Sequence, residues 1–179
     1  MSPIAEPDLM QPDTPAIKTK DYAPPTHPGL IQVQRGSKPF GSGAFSLVDL
    51  PAGALLTPIT GASLVPAQRY TTVQISRTEH IELNSDLVFC NHSCAPSIVF
   101  DMHKMEVRVV EDRPLKKGDV LTFFYPSTEW EMDQPFDCTC GAAACNGRID
   151  GAKQMTRETL EKYWLNEHVR ELLRERDGA

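Results

Sequence analysis

Residues 138–145 read Cys138-Thr139-Cys140-Gly141-Ala142-Ala143-Ala144-Cys145, three thiols in a C-x-C-x4-C pattern around a glycine. Zinc prefers thiolate sulfur in a tetrahedron, and a structural site takes all four corners from the protein. This stretch supplies three, so the fourth ligand has to come from elsewhere. The other two thiols are Cys90 and Cys94. Cys90 closes the apolar run Leu87-Val88-Phe89-Cys90 and suits a small buried position. Cys94 follows the polar Asn91-His92-Ser93, where a thiol can turn toward a metal. The reading is one structural zinc ion on Cys94, Cys138, Cys140 and Cys145. Free thiols in a loose tail and a redox centre are the competing readings, and the lack of a C-x-x-C pair weighs against the second.

Upstream, the chain alternates short β-rich runs with turn residues. The spacing predicts strands over 30–34, 44–49, 54–59, 71–76, 80–83, 97–102, 106–111 and 120–124. Glu106-Val107-Arg108-Val109 alternates polar and apolar, as a strand with one wet face does. Lys116-Lys117-Gly118-Asp119 reads as a turn. Downstream the pattern becomes helical. Thr156 is placed to cap a helix through about Trp164, and Asn166 a second helix with Val169, Leu172 and Leu173 on one face. The fold class is mostly β with C-terminal helices, and the helices read as packing elements.

The rest of the composition bounds the function. A length of 179 residues suits one domain, and 40% apolar with 23% charged residues is an ordinary soluble composition. No apolar run approaches the roughly 18–20 residues that span a bilayer. The amino terminus lacks the basic start and apolar stretch of a secretory signal, so a cytoplasmic or nuclear protein with no membrane partner is expected. A net charge of −6 argues against nucleic acid as a partner, because phosphate binding needs a basic face. Residues 1–28 hold seven prolines (Pro3, Pro7, Pro12, Pro15, Pro24, Pro25 and Pro28) and read as a disordered or loosely docked tail.

Four motifs stand in a fixed order: Gly41-Ser42-Gly43, then Asn91-His92-Ser93-Cys94-Ala95-Pro96, then Gly118-Asp119-Val120-Leu121-Thr122-Phe123-Phe124-Tyr125, then Cys138 to Cys145 followed by Asn146-Gly147-Arg148-Ile149. Together they resemble the SET domain with its post-SET zinc knuckle, and Phe124-Tyr125-Pro126-Ser127-Thr128-Glu129-Trp130 is similar to a compact subgroup found in fungi and microbes. The resemblance divides the chain into a tail (1–28), a SET domain (29–134), a post-SET knuckle (135–151) and a helical segment (152–179).

That resemblance implies the β-clip SET fold of small curled sheets with a pseudoknot, and methyl transfer from S-adenosylmethionine to a lysine ε-amine. It implies that the Gly41-Ser42-Gly43 backbone lies along the cofactor. Asn91 would hold the cofactor's amino-acid end, the His92 backbone its adenine, and Phe136 would stack on that adenine. Tyr125 matches the catalytic tyrosine, which also reaches the cofactor's methyl group, and Phe123, Phe124 and Trp130 are the candidate substrate-pocket walls. Phe124 stands where many relatives carry aspartate, and Ser97 where many carry asparagine. The acceptor expected first is a protein lysine, histone or non-histone. A SET-like enzyme acting on a small molecule in a fungal biosynthetic pathway, with or without methyl transfer, and a non-catalytic binding module are the alternatives.

Overall fold

The structure is a computed structural model that describes residues 25–38 and 40–178. The tail expected over 1–28 lies, for residues 1–24, outside the described residues. Its last part is anchored. The backbone amides of Thr26 and His27 both donate to Asp86 Oδ2, at 2.8 and 2.9 Å, and the Asp86 amide donates to Thr26 Oγ1 at 2.8 Å.

The strands are β1 (Ile31–Gln34), β2 (Gly43–Ser46), β3 (Leu55–Pro58), β4 (Ser63–Val65), β5 (Thr72–Gln74), β6 (His80–Glu82), β7 (Asn91–His92), β8 (Ile98–Asp101), β9 (Glu106–Val109), β10 (Thr122–Phe123), β11 (Phe136–Asp137) and β12 (Arg148–Ile149). They form small sheets ordered β1-β2, β3-β9-β8, β4-β6-β5, β10-β7 and β11-β12. The mostly β class with C-terminal helices is as the sequence indicates.

The β8–β9 hairpin shows why the pattern folds this way. Ile98 lies opposite Val109 and Phe100 opposite Val107, and all four are buried in the main core, while Val99 and Arg108 point the other way. Burying each such side chain contributes roughly 1.5–3 kcal/mol. In β6, Ile81 faces Val73 in the core, and His80 and Glu82 share the opposite face with Gln74 and Thr72. The pair β7–β10 is parallel, with Asn91 beside Thr122 and His92 beside Phe123. Parallel neighbours need a long crossover, and the β8–β9 hairpin supplies it. The pair β11–β12 sets Phe136 opposite Ile149 and ties off the cysteine loop, where the Cys138 amide donates to Gly147 O at 2.8 Å.

Several expectations are revised. The run 120–124 is a strand only at Thr122–Phe123, with Val120 in an isolated bridge to Phe45. The run 44–49 ends at Ser46, whose hydroxyl donates to Val48 O at 2.7 Å and turns the chain. Helix α1 (Arg157–Leu160) is capped by Thr156, which accepts from the Thr159 amide at 3.2 Å, but it stops at Leu160 rather than Trp164. Beyond it, Tyr163 stacks on Phe124. Helix α2 (Glu167–Asp177) starts after Asn166, whose side chain makes no cap bond. Asn166 Oδ1 instead accepts from the Met102 amide at 2.8 Å, and Nδ2 donates to Phe100 O and Ser127 O at 2.9 and 3.0 Å. A second apolar cluster, Phe124 with Ala152, Leu160, Leu165, Val169 and Leu173, seals the helices to the sheets. Among the described residues, no helix is long and apolar enough to cross a membrane.

Candidate functional site

The β7–β10 pair brings two sequence motifs side by side, and the site grows from that junction. Asn91, in β7, donates from Nδ2 to Ser42 O at 2.7 Å and so ties the glycine loop to the junction. A Cβ placed on Gly43 would lie 3.6 Å from that same amide nitrogen, so the loop and Asn91 pack backbone against side chain. Behind them, a Cβ on Gly36 would fall 2.3 Å from Gly41 O. Gly36 therefore has to be glycine for the loop to fold back on itself, a requirement the motif Gly41-Ser42-Gly43 did not signal.

Tyr125 follows β10 and opens a short 3-10 turn, Tyr125–Ser127. Its backbone amide donates to His92 Nδ1 at 3.2 Å, and its hydroxyl donates to Cys90 O at 3.2 Å. Burial, aided by the charges of Cys90 and Glu129, pushes the phenol above its ordinary range, so it stays a neutral donor. Because Nδ1 of His92 accepts a bond, the neutral ring carries its proton on Nε2. Nε2 faces Cys94 Sγ at 3.4 Å. Burial lowers the His92 pKa to about 4, so the ring is neutral at physiological pH. His92 thus spans the turn of the tyrosine and one of the cysteines.

The rings form a continuous surface. His92 lies edge-on to Tyr125 at 5.3 Å and to Phe136 at 5.5 Å, and Tyr125 lies 6.1 Å from Phe136. Phe123 packs on Tyr125 at 4.7 Å. The predicted cofactor residues, Gly41, Ser42, Gly43, Asn91, His92, Tyr125 and Phe136, are therefore joined through neighbouring contacts around one junction. The predicted pocket walls divide. Phe123 touches Tyr125, and Phe124 packs both on His92 at 5.7 Å and, stacked on Tyr163, in the second cluster, where Trp130 lies under the Arg176 guanidinium at 5.9 Å.

The ligating atoms of Cys94, Cys138, Cys140 and Cys145 all lie within 4.8 Å of one another. Cys94 Sγ is 3.9 Å from Cys138 Sγ and 4.0 Å from Cys145 Sγ. A tetrahedron of zinc–sulfur bonds of about 2.3 Å places its sulfurs about 3.8 Å apart, so the four residues fit a structural zinc ion. Burial raises the thiols of Cys94 and Cys138, while backbone amides and neighbouring thiols bring Cys140 down to about 6. The Asn146 amide donates to Cys94 Sγ at 3.4 Å, one of the outer bonds that stabilise a bound thiolate. Cys90 is 2% exposed, its thiol raised by burial, and it lies outside this group.

Three features were not foreseen. Glu129, 6% exposed, sits under the tyrosine turn, where its Oε1 accepts from the Gln74 amide at 2.8 Å and burial lifts its carboxyl to about 7. A Cβ at Gly151 would meet Trp130 O at 2.5 Å, so glycine is needed where the cysteine loop returns to the core. Tyr163 reaches both Cys94 and Asn146. None of these has a local signal, because each contact joins segments far apart in sequence.

Comparisons with known proteins give the following. No family model matches the chain. Over 149 residues it is 56% identical to the methyltransferase flvH of Aspergillus flavus, an alignment that covers 83% of this chain and 84% of flvH. Over 66 residues it is 35% identical to the H3 lysine-4 specific histone-lysine N-methyltransferase of Schizosaccharomyces pombe, covering 35% of this chain and 7% of that protein. Among solved structures, a complex of KRYPTONITE with mCHG DNA and SAH superimposes with a TM-score of 0.50 at 22% identity, over 66% of this chain and 28% of that one. The fold is shared with that structure, of which this chain spans less than a third.

Proposed function

The chain belongs to the methyltransferase family of Aspergillus flavus flvH, and on that premise we propose that it transfers a methyl group from S-adenosylmethionine to an amine nitrogen, with a lysine ε-amine as the acceptor. The observation that carries the reading is the position of Tyr125. It is fixed at its amide by His92 and at its hydroxyl by Cys90 O, where the glycine loop, Asn91 and Phe136 meet.

When bound, S-adenosylmethionine supplies a methyl carbon made electrophilic by its sulfonium. Asn91 and the 41–43 backbone would hold its amino-acid end, and Phe136 its adenine. The protein then has to align the acceptor and keep it neutral. Neutralising an amine of pKa near 10.4 at pH 7 costs roughly 4.6 kcal/mol. The apolar rings of Phe123 and Phe136 beside Tyr125 disfavour the ammonium form. Cys94, Cys138, Cys140 and Cys145 would hold a zinc ion that cross-links the cysteine loop to β7 and keeps Phe136 in place.

A second acceptor, a small amine rather than a protein-bound lysine, is favoured by one observation. The sheet between the glycine loop and Asn91 has only three strands of three residues each, a small platform for a peptide. The test is a radiolabel transfer assay from S-adenosylmethionine with histones, cell lysate and small amines as acceptors. Label is expected in an amine product from the wild type, and Tyr125→Phe should transfer at least ~100-fold more slowly while binding cofactor as the wild type does. Label in protein supports the lysine acceptor, and label confined to the small-molecule fraction supports the second. Undiminished transfer by Tyr125→Phe removes the tyrosine from its role, and a wild type that labels nothing overturns the proposal.

A further inference from the structure

We infer that Tyr163, in the segment after the cysteine loop, is a positioning residue that holds the thiolate cluster and the Tyr125 turn in one register; this rests on the reading of the four cysteines as a zinc site. Tyr163 follows α1, in the part of the chain that the sequence marks only as packing. Its ring lies flat on Phe124, with centroids 3.6 Å apart and planes 6° from parallel. Its hydroxyl donates to Cys94 O at 3.1 Å and accepts from Asn146 Nδ2 at 2.9 Å.

These three partners belong to the three parts that have to agree. Cys94 is the ligand contributed by the β7 loop. Asn146 follows the last cysteine of the C-terminal loop, and its own amide donates to Cys94 Sγ at 3.4 Å. Phe124 immediately precedes Tyr125. One phenol therefore touches the backbone of the distant ligand, the residue that bonds that ligand's sulfur, and the neighbour of the tyrosine. Packing alone does not call for the hydroxyl, since phenylalanine would stack on Phe124 equally well. The hydroxyl is used twice, and both uses fix the sulfur of Cys94 relative to the loop that carries the other three thiols. Bonds of this kind around metal ligands typically change metal affinity by 10–100-fold when removed.

The experiment compares full-length, zinc-loaded wild type with Tyr163→Phe, reading zinc release to a chromophoric chelator and the urea midpoint. Tyr163→Phe keeps the stack and is expected to release zinc about tenfold faster. Asn146→Ala should also speed release, and the double variant should be no faster than Tyr163→Phe, because both substitutions break one shared bond. Asn166→Ala is the control. It removes buried bonds of the same C-terminal segment that go to Met102, Phe100 and Ser127, so it should lower the urea midpoint without changing release. Release from Tyr163→Phe within twofold of wild type overturns the inference, as does a double variant whose effects multiply. A wild type that carries no zinc overturns the metal reading and this inference with it. A wild type that holds zinc, with an unchanged Tyr163→Phe, overturns this inference alone.

Discussion

His92 and Glu129 flank the tyrosine turn, and burial acts on them in opposite senses. Burial keeps His92 neutral, so that it can accept from the Tyr125 amide and present Nε2 to Cys94. Glu129 is raised from 4.5 to about 7 by burial, against hydrogen bonds from the Gln74 amide, Thr128 Oγ1 and Gln68 Nε2 that favour its charge. His80 Nε2 lies 3.9 Å from Glu129 Oε2, and its own pKa is lowered by burial and by His168. For Glu129 the folded-state pKa exceeds the unfolded value. Its stabilising contribution is therefore complete below about pH 4.5 and is lost as the pH rises through about 7. His80 works the other way, losing stability as the pH falls below its ordinary 6.5. Glu129→Gln removes only the first effect. Relative to wild type, the variant should gain stability between pH 5 and pH 8, by up to ~3 kcal/mol. Urea unfolding at the two pH values reads this, and a difference that does not widen toward pH 8 contradicts it.

At the level of elements, most strands were legible, but β4 and the two-residue β7, β11 and β12 were not. The β8–β9 hairpin could be read because Ile98, Phe100, Val107 and Val109 alternate with polar or half-buried neighbours and all face one core. The strands β7, β11 and β12 are each two residues long, and β4 is three. Such strands have no period of their own and exist because their partners hold them. The cysteines were legible because thiols at that spacing have few other uses, and their convergence with Cys94 is the clearest link between sequence and site. The pocket walls were less legible. Phe124 and Trp130 carry the aromatic composition of a channel, and both also seat the C-terminal helices, with Phe124 packing on His92 at 5.7 Å as well. Asn166 shows the same limit, since a residue placed to cap α2 instead bonds the β8–β9 turn to the turn after Tyr125. Replacing it with alanine leaves the Met102 amide buried without its partner and removes one donor each from Phe100 O and Ser127 O, although Ser127 O keeps the Asn166 backbone amide at 3.0 Å; an unsatisfied buried group costs about 1–3 kcal/mol. Asn166→Ala should therefore cost about 2–4 kcal/mol in urea unfolding. A loss under ~0.5 kcal/mol would show that water or relaxation replaces these bonds.

On the scale of the whole molecule, small sheets that could not stand alone are joined at one place. Segments near residues 42, 91, 125, 136 and 145 meet there, and the second cluster clamps the C-terminal helices behind them. A bound zinc ion would close this assembly, with structural sites in small proteins contributing on the order of 10–16 kcal/mol of apparent binding free energy. Removing it should free the cysteine loop and, with it, Phe136. The most direct test is native mass spectrometry of the purified chain during a titration with S-adenosylmethionine, before and after chelation. One zinc and one S-adenosylmethionine per chain are predicted, with the second adduct fading once the first is stripped; zinc-loaded protein that takes up no S-adenosylmethionine would contradict the account.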